Sequence, residues 1–338
     1  MRIFTPFRLL LLGLVFAVAA FALWAFPTDD YIFLPNRAHA VAPLVDVEGG
    51  SNPRDGGGIY FVDVLVRKAT LVESVWPDLR EGATVVPAES VRPPGVSEAE
   101  RRRGELAEMR LSQQVAAAVA LRELGYKVVA TPVGARIEFV DPNAPAAGEL
   151  KPGDIVVRAL GQRVRVPGQL RRLVSAQEVG AEIPLTVRRG ARLVPLRVRT
   201  MRSTEGRSII GVIVSQEANI RFPPNAPDVD IDVRGVGGPS AGLAFALDVL
   251  EELGQDVDHG NRVAVTGTIE LDGSVGEIGG VKQKTIGVRR AGIRTFVVPA
   301  GENAREARRH AGNLRIVAVE NFDQALRALA TLPQKAED

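Results

Sequence analysis

The stretch VRGVGGPSAGLAFALDVLEELG, residues 233–254, sets a serine in a glycine-rich turn that runs directly into an amphipathic segment. Leu243, Leu247 and Leu250 recur at helical spacing, Asp248, Glu251 and Glu252 fall opposite, and Gly254 marks the stop. A serine ahead of a helix is ordinarily an N-cap. Three glycines and a proline within residues 237–242 suggest more, because glycine lets another backbone approach closely. A helix start also gathers free amides and the positive dipole end, donors suited to a developing oxyanion. Ser240 is therefore a candidate nucleophile, and Gly238 in the same turn a candidate support.

A serine nucleophile needs a base. The three histidines are poorly placed for it: His39 falls in a proline-rich stretch, His259 in the polar loop after the helix, and His310 beside Arg308 and Arg309. Arginine does not give up its proton, but a desolvated lysine does. Only six lysines occur (68, 127, 151, 282, 284 and 335), and two of them sit in GGVKQK, residues 279–284. On a helix, residues two apart point in nearly opposite directions. Val281, Thr285 and Val288 mark the buried side, which Lys284 shares, whereas Lys282 lies with Ile286 and Arg289 on a wetter flank. Lys284 is the better base. Its pKa would have to fall from about 10.4 to 7–8 through desolvation and nearby positive dipoles. Spacing alone fits an ordinary surface charge at least as well.

Composition narrows the alternatives. The 338 residues suffice for two or three domains. A net charge of +2, with no aromatic-basic patch, gives no case for nucleic acid. With no cysteine there is no thiol nucleophile, disulfide or thiolate metal site. No HExxH and no histidine pair at ligand spacing is present, so no metal is expected. No GxxxxGK[ST] loop is present either, so no ATP site and no other cofactor is expected. The alternating acids Asp228, Asp230 and Asp232 read as the wet face of a strand.

Residues 9–26, LLLLGLVFAVAAFALWAF, form an uncharged apolar run at the lower limit for crossing a bilayer. Arg2 and Arg8 precede it, and Asp29 and Asp30 follow. The expected topology is a transmembrane helix with a cytoplasmic tail at 1–8 and all the rest outside the membrane that holds it. A cleaved signal peptide is the alternative, but the AHA at 38–40 lies fourteen residues past the run, too far for the usual pattern.

After the anchor, 27–57 reads as a proline- and glycine-rich stalk and 58–125 as a β-hairpin and helix segment. Residues 126–202 form a β-rich unit with a helix from Pro167 and a hairpin around Arg189-Gly190. DPNAPAAGELKPGDIVVRALGQ, residues 141–162, resembles the PDZ family in its small-residue turn, its Leu-x-x-Gly-Asp turn and the strand that follows. That resemblance implies binding of an extended peptide by strand addition beside the helix. The expected edge is Arg136–Val140, with Arg136, Ile137 and Glu138 as peptide-binding residues. A plain spacer is the alternative. Residues 203–334 alternate strands and helices, an α+β unit.

GGPSAG followed 44 residues later by the second lysine of GGVKQK, with AVTGTIELDGSVGEIGG between and RRAGI after, resembles the proteolytic domain of Lon-type proteases. The resemblance covers about 230–320. It implies that Ser240 is the nucleophile and Lys284 the general base, and that Thr266 holds the lysine amine. The layout as a whole is similar to the bacterial membrane-anchored, PDZ-containing Lon-like proteases. The ATPase module of ATP-driven Lon enzymes is absent, so ATP-driven unfolding is not expected. Position 237 is glycine where those enzymes often carry an acid. The function implied is an ATP-independent serine endopeptidase acting on flexible or unfolded segments of exported proteins, with a hexameric ring as the implied homo-oligomer. The rival is a membrane-tethered PDZ scaffold with an inactive Lon-like domain.

Overall fold

The computed structural model describes residues 11, 13, 14, 24, 26–51, 57–91, 98–203, 206–233 and 236–334. The apolar run at 9–26 lies mostly outside them; among the described residues no helix is long and apolar enough to cross a membrane.

Short runs rich in valine, isoleucine and phenylalanine, apolar on both faces, build the larger sheet. Its strands are β1 (Pro27–Ala40), β3 (Gly58–Thr70), β4 (Thr84–Val86), β12 (Arg262–Val265), β15 (Thr295–Pro299) and β16 (Arg315–Val319), in the order β16-β15-β12-β3-β1-β4. β3, β12, β15 and β16 run parallel, while β1 is antiparallel to β3 and β4. The sheet is thus mixed, and it is covered on both faces, as parallel strands require. Ile59, Phe61, Val263, Val265 and Val297 face one layer, built on α2 (Glu98–Glu123) and α4 (Gly242–Glu252). Val62, Ala264, Phe296 and Val298 face the other, built on α5 (Val281–Arg290) and α6 (Glu302–His310). A last helix, α7 (Phe322–Leu329), adds Phe322, Ala325 and Leu329 to the first layer.

This corrects the domain boundaries. Residues 27–47 are not a stalk: β1 lies between β3 and β4, and β2 (Val45–Val47) pairs with β11 (Val229–Ile231). The segment 58–91 is no separate hairpin unit either, since β3 pairs with β12 in parallel. The sequence is misleading here because strand partners more than 180 residues apart leave no local signal.

The smaller sheet contains β5 (Val129–Val140), β6 (Ile155–Ala159), β7 (Gln162–Arg163), β8 (Glu182–Arg189), β9 (Arg192–Arg199) and β10 (Val212–Arg221). The order is β10-β5-β6-β8-β9, with β7 on β6. The β8–β9 hairpin turns where the sequence places it. α3 (Pro167–Ser175) buries Leu170 and Val174 against Ile137, Val156 and Val187. β10 falls within the expected third unit but pairs along all of β5, from Val212 against Val140 to Arg221 against Val129. Its first half packs Val212 and Val214 on this sheet's core; its second half packs Ala218 and Ile220 on the core of the larger domain.

The expected peptide edge Arg136–Val140 is therefore corrected: β5 lies inside the sheet, between β10 and β6. Ile137 is fully buried, Arg136 contacts Glu217 at 3.2 Å, and Glu138 accepts from Ser215 Oγ at 2.5 Å. The strand at the sheet's edge, with α3 packed against it, is β10.

Candidate active site

Ser240 does not cap the helix. α4 begins two residues later, at Gly242, with Ala241 at the cap position and no side-chain cap bond. The Ser240 carbonyl accepts from the Gly267 amide at 2.9 Å and from Thr266 Oγ1 at 3.1 Å. The turn is pinned from the other side by α2: the Gly238 amide donates to the Glu105 carbonyl at 3.1 Å, and Ser112 Oγ donates to the Pro239 carbonyl at 3.2 Å. Gly238 has φ +86°, a backbone that side chains resist. Gly242 lets α2 come close, since a Cβ there would sit 2.6 Å from Ser112 Oγ and force it to move. Within Gly238–Ser240, proline has no N–H and the Gly238 amide is taken, so the serine's own amide is the donor the turn can offer.

Lys284 enters from α5. Gly280, at φ +69°, turns the chain into the helix, and its carbonyl accepts the Lys284 amide. Gly287, one turn on, lets α5 rest on β1, where a Cβ would collide with the Asn36 carbonyl oxygen. Lys282 Nζ reaches outward to the Ala83 carbonyl at 3.2 Å, and Gln283 Nε2 holds the Gly82 carbonyl and Thr84 Oγ1, both at 2.9 Å. Lys284 points inward and is 3% exposed. Its amine lies 2.7 Å from Ser240 Oγ and 3.1 Å from Thr266 Oγ1. Thr266 is fully buried, at the end of β12. Its one proton goes to the Ser240 carbonyl, so its lone pair faces the lysine.

Burial pushes the Lys284 amine down to about 8, and the carboxylate of Asp63 works in the opposite sense. Asp63 is a residue the sequence reading missed. It sits on β3 opposite a bulge in β1, where Asn36 and Arg37 together face it between the pairs Pro35–Val64 and Ala38–Val62. Bulges commonly re-aim side chains beside active sites. His39 is nearby on β1, with Nε2 3.4 Å from Asp63 Oδ1 but without hydrogen-bond geometry, and its ring stacks on Phe61 at 5.2 Å. Glu105 was missed as well. Its Cβ would lie 2.8 Å from a side chain at 237, so α2 brings an acid to the place where the sequence has glycine.

Ser240, Lys284, Thr266 and Gly238 therefore meet at one point, while Arg136, Ile137 and Glu138 lie elsewhere, within the smaller sheet. On α4, Asp248 and Glu252 are not on a solvated face as their spacing suggests: they are 0% and 5% exposed. Burial, reinforced by Glu252, Glu251 and Asp258, raises the Asp248 carboxyl to about 8.

Comparison with known proteins follows the same division. Residues 229–331 match the Lon protease (S16) C-terminal proteolytic domain, and residues 119–200 match the PDZ domain. The Lon protease of Mycoplasma pneumoniae is 38% identical over 109 residues, 30% of this chain and 13% of that protein. The Lon protease of Chloroflexus aggregans is 38% identical over 106 residues, 30% of this chain and 12% of that protein. The matched region is thus about an eighth of the length of these relatives. The PDZ domain of an SdrC-like protein from Listeria monocytogenes aligns with 24% of this chain and 87% of its own, at 18% identity and a TM-score of 0.24, too low to carry an argument. Both family matches fall short of the folded units: β1 and β3 lie outside the first, and β10 outside the second.

Proposed function

We propose that this chain, which carries a Lon-type proteolytic domain behind a PDZ domain, is a serine endopeptidase working through Ser240 and Lys284. The observation that carries the reading is the 2.7 Å contact between Lys284 Nζ and Ser240 Oγ, made by a lysine that burial brings to about 8. In the neutral form Lys284 takes the Ser240 proton as Oγ attacks the scissile carbonyl. The ammonium then passes the proton to the leaving amine. In the second half-reaction the neutral amine draws a proton from the water that attacks the acyl-enzyme and returns it to Ser240 Oγ as the ester bond breaks. Thr266 keeps the lone pair of the lysine aimed at Oγ, and the Ser240 amide stabilises the oxyanion.

The finer reading is that the apolar run at 9–26 anchors the enzyme in a bacterial membrane with its catalytic domain outside. Its substrates are then flexible or unfolded segments of exported proteins. The chain has no GxxxxGK[ST] loop, which suits hydrolysis that needs no ATP. The family resemblance suggests a ring of like subunits. The edge strand β10 beside α3, rather than β5, is the place for an extended peptide. An inactive scaffold is disfavoured by the serine–lysine contact. The test is reaction of the full chain with a fluorophosphonate probe, together with cleavage of unfolded casein. Labelling and cleavage are both expected to vanish in Ser240→Ala; a serine variant that cleaves at the wild-type rate overturns the assignment.

A further inference from the structure

The short helix after β3, α1 (Leu71–Val75), is built with its polarity inside out. Its one carboxylate, Glu73, is 6% exposed and held from three directions. Arg67 reaches it with Nη2 at 2.6 Å and Nη1 at 2.8 Å, Arg80 with Nε at 2.8 Å, and Thr70 through a reciprocal capping box. Four large apolar side chains close together in sequence are exposed, Leu71 at 40%, Val75 61%, Trp76 58% and Leu79 70%, with the exposed Asp78 among them. Single exposed leucines are ordinary, but a contiguous apolar patch on a folded domain marks an interaction surface.

The patch lies at the point where the apolar run 9–26 joins the domain. The Leu71 amide donates to the Phe26 carbonyl at 3.2 Å, and Pro27 pairs with Thr70. Phe26 and Trp24 are themselves 63% and 66% exposed. We infer that this face, Leu71, Val75, Trp76 and Leu79 with Phe26, seats in the interfacial layer of the lipid bilayer and holds the protease domain down against the membrane. The inference rests on the reading of residues 9–26 as a membrane anchor. If that run enters a bilayer, Phe26 leaves it at the surface, and the Phe26–Leu71 bond brings α1 to the same depth. Tryptophan favours that layer, where an apolar ring and a polar N–H are both accommodated. Arg67 and Arg80 share the one carboxylate of Glu73 and Lys68 pairs with Asp29, so little free charge remains and the apolar side chains carry most of the seating.

The chain has two tryptophans, 24 and 76, and they separate the two claims. The full chain is reconstituted into phosphatidylcholine vesicles with brominated acyl chains. In Trp24→Phe the emission comes from Trp76; in Trp76→Phe it comes from Trp24. Seating predicts that Trp76 loses emission to the brominated lipid, is shielded from aqueous iodide, and stays so in high salt. Val75→Ser with Leu79→Ser, in the Trp24→Phe background, should raise iodide quenching of Trp76 about twofold or more while casein cleavage in detergent is kept. If Trp24 is quenched by lipid and Trp76 is not, the seating is wrong and the anchor stands. If neither is quenched, the anchor reading fails and takes the seating with it. If Trp76 is shielded from both quenchers, protein rather than lipid covers the face, and the inference is overturned.

Discussion

The carboxylate of Glu270 lies 3.1 Å, by either oxygen, from the amide nitrogen of Gly168, so a residue of the protease domain closes the open first turn of the PDZ helix α3. Arg171, one turn on, adds a second bond at 3.2 Å. Glu270 is 3% exposed, and burial raises its carboxyl even against these donors. It follows the two-residue strand β13 (Thr268–Ile269), four residues past Thr266. The junction between the domains is therefore close in sequence to the residue that aims the lysine. Glu270→Ala leaves the Gly168 amide without its acceptor, a loss of about 1–3 kcal/mol at the junction. The expected result is faster amide exchange over 167–175, together with slower probe labelling of Ser240. Exchange that rises with labelling unchanged would make the junction a passive hinge.

Thr266 offers a sharper test of how the dyad is held. Thr266→Val keeps the volume but removes both the acceptor for Lys284 and the donor to the Ser240 carbonyl. Thr266→Ser restores both. Valine should lower kcat by about a hundredfold, the cost of a catalytic group displaced by about 1 Å, and serine should recover most of it. Equal loss in the two variants would mean that the methyl group, and so the packing, is what matters.

The pH profile follows from the charge around Lys284. The neutral amine is the active form, and its pKa stands near 8, so kcat/KM should rise with pH and level off above about 8. The Asp63 carboxylate favours the ammonium, so it holds that value higher than burial alone would set. Asp63→Asn removes the opposing charge and should move the rising limb to lower pH. Lys284→Arg should be as inactive as Lys284→Ala, because the guanidinium keeps its proton, whereas Lys282→Arg should stay active. A limb that shifts to higher pH in Asp63→Asn would reverse the assigned role of the aspartate.

Gly287→Ala should be among the most damaging small changes in the molecule. The added methyl meets the Asn36 carbonyl, which is backbone and has nowhere to go, so α5 must lift from β1 with Lys284 on it. A cost of about 2–4 kcal/mol, read as a lowered urea midpoint, is expected alongside slower labelling of Ser240. The contact explains what the sequence could and could not disclose. Ser240 stands in a local pattern, a glycine turn ahead of a helix; Val281 and Val288 favour Lys284 over Lys282, but spacing fits a surface charge as well, and it was the Lon-type motif GGPSAG with GGVKQK that singled out the pair. Asn36, Asp63 and His39 lie in strands whose partners are remote, and a stretch containing four prolines reads as a stalk unless β3 is known to pair with it. Glu105 was hidden for the same reason: only folding brings α2 to Gly237. Asp248 misled in the other direction, since helical spacing places it opposite the leucines but cannot show that β2 and α2 cover that face too.

The shared strand β10 decides whether the protease can stand alone. If the PDZ domain were a detachable recruiter, excising 126–200 would spare labelling of Ser240 and impair only the choice of substrate. The strand pairing argues otherwise. β10 owes its register to β5, which the excision removes, and without it Ala218 and Ile220 lose the backbone that presents them to the protease core. Gln216 on the same strand accepts from the Leu271 amide at 3.1 Å, next to Glu270, so the excision strips both supports from the segment that follows Thr266. The shortened chain should therefore lose labelling and casein cleavage together, with partial loss of far-ultraviolet dichroism beyond the residues removed. A chain cut down to 203–334 should not fold at all, because β1 and β3 are strands of its own sheet. The decisive measurement is probe labelling of the 126–200 excision at wild-type protein concentration. A rate equal to that of the full chain would show that β10 holds its place without β5, and that the two domains work independently.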